Sequence, residues 1–113
     1  MIAKTPQPPY YAVIFTSVLS LNNEGFARMA DKMVELAEKQ PGFLGWESAR
    51  NELGITVSYW ESEEAIKNWK ANVDHLEAQD RGKKQWYEMY KIRVAKVERE
   101  SGFEGRLIKG LRD

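Results

Sequence analysis

His75 is the only histidine of the 113-residue chain, set in Asn72-Val73-Asp74-His75-Leu76. A neutral imidazole here could ligate iron or move a proton near neutral pH. The plainer reading is a helix-surface histidine. Asp74 and His75 are no catalytic pair, because neighbours on a helix point about 100° apart. A second set is aromatic: Phe15, Trp46, Tyr59, Trp60, Trp69, Trp86 and Tyr87. Rings lining the space between a sheet and its helices could sandwich a planar ligand, with tyrosine hydroxyls orienting it, or could simply fill a core. Trp60, at a strand-to-helix junction, reads as core. For Trp69, core and pocket wall stay equally open. Arg50 and Arg93 lie on strands, where they could counter an anionic substrate or face water. Thr16, Ser17 and Ser58 are polar strand positions that could border a pocket.

Other chemistries lack their residues. With no cysteine, disulfides and thiolate metal sites are excluded. No glycine-rich phosphate loop, no G-x-S-x-G elbow and no metal-spaced cluster of His, Asp and Glu occurs, so no metal is expected. Seventeen acidic residues balance seventeen basic ones, which gives no electrostatic reason to expect nucleic acid or an anionic membrane as partner. No run approaches about 18 apolar residues, and no basic segment precedes Tyr10–Leu19 as a signal peptide would require. The expectation is a cytoplasmic protein.

The elements that must position these residues follow from periodicity. The length suits one domain, over residues 1–99, with a polar tail at 100–113. The prolines of the first nine residues keep the start extended. Tyr10–Leu19, rich in aromatic and β-branched residues, is the first strand. Asn22 and Asn23 supply capping chemistry, with Glu24 expected in the first turn of a helix. Phe26, Met29, Ala30, Met33, Leu36 and Ala37 then mark one helical face, which Pro41-Gly42 ends. Phe43–Arg50 and Ile55–Trp60 form a hairpin, the second strand alternating Ile55, Val57 and Tyr59 against Thr56, Ser58 and Trp60. In the first, Leu44 and Trp46 are expected opposite Phe43. Ser62 caps a second helix carrying Ala65, Ile66, Trp69, Val73 and Leu76 on one face, with a break expected near Asn72 and an end at Gly82. Tyr90–Arg99 is the last strand. Leu107, Ile108 and Leu111 could form a short docking helix in an otherwise partly disordered tail.

The order β-α-β-β-α-β is the ferredoxin-like α+β arrangement, with both helices on one sheet face. Large side chains left on the other face make pairing of two sheets the economical cover, so a homodimer closing an α+β barrel is expected.

Pro41-Gly42-Phe43-Leu44-Gly45-Trp46-Glu47, then Thr56-Val57-Ser58-Tyr59-Trp60-Glu61-Ser62-Glu63-Glu64-Ala65 and Trp69, resemble the antibiotic biosynthesis monooxygenase family. The resemblance runs from about Tyr10 to Glu98. It implies a dimeric α+β barrel, with some members oxidising aromatic polyketides without a cofactor and others binding and degrading haem. Trp69 resembles the tryptophan that haem-degrading relatives carry on the second helix. His75 lies fewer residues beyond it than their histidine, and Tyr10–Leu19 lacks their asparagine. No cofactor is therefore expected, with haem at most a weak ligand. The expected function is a small monooxygenase acting on an aromatic molecule without metal or flavin. Trp69 and His75 would serve as the catalytic residues, with Trp46, Tyr59 and Phe15 lining the ligand site. The alternatives are a dimer of the same fold that binds a ligand without turnover, for example in a stress response, and a haem-binding relative.

Overall fold

A computed structural model describes residues 2–78 and 86–105. The elements are β1 (Tyr10–Leu19), α1 (Phe26–Glu38), β2 (Phe43–Arg50), β3 (Gly54–Trp60), α2 (Glu63–Ala78) and β4 (Tyr87–Val97). The sheet is antiparallel in the order β2-β3-β1-β4, so each helix crosses to a strand that is not its immediate neighbour. This is the expected ferredoxin-like α+β fold. The expected end of the second helix at Gly82, and the tail helix through Leu107, Ile108 and Leu111, lie outside the described residues.

Three local expectations change. Helix α1 begins at Phe26, so Glu24 precedes the helix and its first turn holds no acid. Its N-cap is Gly25 in the left-handed region, φ 88°, and no side chain caps it. Asn23 contributes through its backbone instead, its carbonyl accepting from the Phe26 N–H at 3.0 Å. Helix α2 runs unbroken through Asn72, whose side chain donates to the Asn68 carbonyl at 2.9 Å without parting the turns. Ser62 does cap α2, its Oγ accepting from the Ala65 N–H at 3.0 Å.

The third change is in β2. Phe43 pairs with Trp60 and Gly45 with Tyr59, so one extra residue bulges between them. A bulge resets the two-residue alternation. Phe43 and Trp46, expected on opposite faces, therefore share the helix-facing side with Ser48 and Arg50.

The core sits between the helices and the Trp60 end of the sheet. Val13, Ala37, Trp60, Ala65 and Ile66 form it, with Tyr11, Phe43 and Trp69 packed against it. Helix α2 comes close enough to the Pro41-Gly42 turn that a Cβ at Gly42 would lie 2.7 Å from that of Ala65. Gly42 also has φ 88°, and its carbonyl accepts from the Glu61 N–H at 2.8 Å. That one turn ties α1, β2 and the start of α2 together.

The opposite sheet face carries Ile14, Thr16, Val18, Ile55, Val57, Tyr59 and Met89. One end of it is overlaid by the N-terminal segment. The Ala3 N–H donates to Glu47 Oε2 at 2.8 Å, and Tyr59 donates to Glu47 Oε1 at 2.9 Å. Thr5, Tyr10 and Glu100 form a hydrogen-bonded group beside them, and the Tyr10 and Tyr59 rings meet edge to face.

Candidate functional site

The pairing register lays the helix-facing side chains in rows across all four strands. Arg50, Gly54, Ser17 and Tyr90 make one row; Ser48, Thr56, Phe15 and Ile92 the next; Trp46, Ser58, Val13 and Val94 the third. Apart from Trp46 and Gly54 the β2–β3 half is polar, and apart from Ser17 the β1–β4 half is apolar or aromatic. Tyr90, Ile92 and Val94 are 47%, 46% and 51% exposed, so the helices leave this edge of their own sheet face open.

Trp69 packs against Trp60 and the core, on the face that α2 shares with Ala65 and Ile66. Its ring lies 5.0 Å from that of Trp60, tilted 31°. The Trp60 N–H donates to Ser58 Oγ at 2.9 Å. The Trp69 N–H is buried and has no hydrogen-bond partner among the described residues. Such a donor costs stability unless something fills it. Further along, Ser48 and Thr56 share a hydrogen bond of 2.8 Å.

Arg50 closes the first row. Its Nη1 donates to the Ser17 carbonyl at 3.4 Å, its Nη2 donates to Ser17 Oγ, and its guanidinium lies 5.3 Å above the centre of the Phe26 ring. Phe26 in turn meets Trp86 and Tyr87, and Phe15 meets Tyr87 and Tyr90. An aromatic floor thus extends from Arg50 to the open edge.

Of the residues expected in the site, Trp69, Phe15 and Trp46 all lie on the helix side of the sheet, Trp46 at the edge strand. Tyr59 does not join them. It faces the opposite side with Glu47, as strand alternation from Trp60 requires. Burial, then the hydrogen bond to Glu47, pushes its hydroxyl up to about 12. His75 is exposed on α2, and six residues of helix set it roughly 120° around from Trp69. The chain's one imidazole therefore does not share the Trp69 face, and these residues do not fit a haem held there through histidine. Phe26, Gly54 and Tyr90 were not legible as site residues, because only the strand register brings them beside Arg50. Among the described residues no group of three His, Asp or Glu side chains could hold a metal ion, and no helix is long and apolar enough to cross a membrane.

The chain belongs to the antibiotic biosynthesis monooxygenase family, whose model matches residues 9–81. It is 52% identical over 105 residues to the uncharacterized protein YqjZ of Bacillus subtilis, covering 91% of this chain and 92% of that one. Its fold is that of SnoaB, a cofactor-independent oxygenase from Streptomyces nogalater, with a TM-score of 0.67 at 11% identity over 83% of this chain and 97% of that one. PA3566 from Pseudomonas aeruginosa is similar too, with a TM-score of 0.65 at 16% identity over 85% and 99% of the two chains.

Proposed function

We propose that the protein is a cofactor-independent monooxygenase for an electron-rich phenolic aromatic, which binds between α2 and the sheet. The observation that carries this reading is the buried Trp69 N–H without an acceptor, over the same sheet face as the aromatic floor and its open β4 edge. A planar substrate on that floor would offer the indole its oxygen. The fold shared with SnoaB, named as a cofactor-independent oxygenase, supports the same chemistry.

In this reading the substrate carries an acidic ring CH2 group. It loses one proton to a single water molecule enclosed with it, and the carbanion passes an electron to dioxygen. The two radicals join as a carbon-bound peroxide. Loss of the second proton with cleavage of the O–O bond leaves a ring carbonyl and water, so CH2 and O2 become C=O and H2O. The protein excludes bulk water, orients the ring and stabilises charge on its oxygen through Trp69. His75, on another side of α2, is not given the proton.

The test is oxygen uptake with a dihydroxyanthrone, following conversion to the anthraquinone. Turnover should fall at least about tenfold in Trp69→Phe, which keeps the ring and removes the N–H. Uptake no faster than the uncatalysed rate, or full activity in Trp69→Phe, would retire the proposal.

The reading includes a homodimer joined through the sheet face opposite the helices. Ile55 and Met89 are 42% and 66% exposed there, beside the half-buried Ile14, Val18 and Val57. Val94, in contrast, faces the helix side.

A further inference from the structure

We propose that Arg50 is an anion-binding residue of this site and that its ligand is an aromatic carboxylate. The inference rests on the reading above for where the ring lies and adds the charge that it carries. Arginine has five N–H donors in a planar fork. Ser17 takes one from each terminal nitrogen, with its carbonyl and its hydroxyl. The Nε–H and one further N–H on each terminal nitrogen are left, including the adjacent pair that suits the two oxygens of a carboxylate.

The surroundings hold this fork in place without neutralising it. Ser17 is 1% exposed, so the anchor is fixed, and Phe26 supports the flat side of the guanidinium. No carboxylate among the described residues pairs with Arg50. The first turn of α1, which begins with Phe26, has no acid of its own, so the positive end of its dipole adds to the arginine's charge. Glu24 precedes that turn and is exposed, with no ion pair to Arg50.

Gly54 makes the arrangement possible. A Cβ there would lie 2.1 Å from Arg50 Cζ, so only a residue without a side chain lets the arginine cross β3 to reach Ser17. An arginine that merely sought water from an edge strand would need no such gap. Beyond Ser17 the row continues to Tyr90, which contacts Phe15, so a ring whose carboxylate met Arg50 would find the aromatic floor next to it.

The test is calorimetric titration of the full chain with 6-hydroxy-2-naphthoate, whose hydroxyl and carboxylate lie at opposite ends of the ring, and with its neutral partner, 6-hydroxy-2-naphthamide. The carboxylate should bind at least about tenfold more tightly to the wild type. Arg50→Gln should abolish that preference, weakening the carboxylate far more than the amide, a result that a purely structural arginine would not give. Gly54→Ala, which keeps the arginine but displaces it, should do the same and serves if Arg50→Gln fails to fold. Equal affinities in the wild type, binding of neither compound, or a preference that survives both substitutions would overturn the proposal. A charge preference without oxygen uptake on any phenol would retire the oxygenase reading and leave the anion site standing. Turnover of neutral phenols with no charge preference would do the reverse.

Discussion

Trp60 and Trp69 lie ring to ring at 5.0 Å, and their two N–H groups differ in one respect: the first donates to Ser58, while the second has no acceptor among the described residues. Both indoles belong to the helix–sheet layer. Only one of them is satisfied by it.

The difference predicts two distinct stability effects at Trp69. Trp69→Ala removes a ring from the margin of the core and should cost about 3–5 kcal/mol. Trp69→Phe loses some packing but also an unsatisfied donor whose burial costs ~1–3 kcal/mol, so its stability should lie within about 1 kcal/mol of the wild type. Urea denaturation of the two variants checks this. A Phe variant as unstable as the Ala variant would mean that the N–H is satisfied in solution.

At Tyr59 the prediction concerns alkaline pH. The folded hydroxyl ionises near 12, above the usual 10, because burial and then the Glu47 carboxylate disfavour the phenolate. A raised folded pKa gives stability that is full below the unfolded value and lost as pH rises through the folded one. The wild type should therefore lose stability between about pH 10 and pH 12. In Tyr59→Phe that loss should be smaller, and stability at pH 7 should fall by about 1 kcal/mol for the missing hydrogen bond, since the group is partly exposed. Melting curves across this range, with tyrosinate absorbance recorded in parallel, decide the matter.

Gly42 is predicted to tolerate no side chain. Its φ of 88° disfavours any L-residue, and the approach of Ala65 leaves no room for a Cβ. Gly42→Ala should cost about 2–4 kcal/mol, more than the ~1 kcal/mol of an unhindered left-handed site. Gly42→Ala combined with Ala65→Gly should recover part of the loss, because the second change removes the collision and keeps the backbone strain. The comparison is made against Ala65→Gly alone, since glycine in a helix costs about 1 kcal/mol by itself; a Gly42→Ala cost equal in both backgrounds would show that the backbone alone sets it.

The proposed dimer is tested at Val57, half-buried on the sheet face away from the helices. Val57→Asp should convert a dimer to monomer in light scattering, since an unpaired buried charge costs several kcal/mol. Val94→Asp, on the helix side, should leave the mass unchanged. A wild type that is monomeric at micromolar concentration would refute the dimer.

Much of the fold was legible because each strand and helix declared its own period. The β3 alternation and the α2 stripe with Ser62 at its head gave the correct faces directly. The bulge between Phe43 and Gly45 has no signal in side-chain type beyond the glycine, so alternation put Trp46 on the wrong side of Phe43. The candidate site was less legible. Trp69 follows from helical spacing, but the neighbours of Arg50 depend on register between strands far apart in sequence. Tyr59 and His75 are aromatic or titratable, as a site requires, yet strand alternation and helical spacing already set them apart from Trp60 and Trp69.

The pairing of Tyr10 with Val97 joins the first strand to the last. During synthesis β1 leaves the ribosome well before β4, yet one of its flanks can be completed only by that strand. Until then β1, β2 and β3 present an open edge, and the nascent chain cannot close its sheet by local contacts alone. Truncated chains ending before Tyr87 would keep that edge exposed, a template for pairing with other strands.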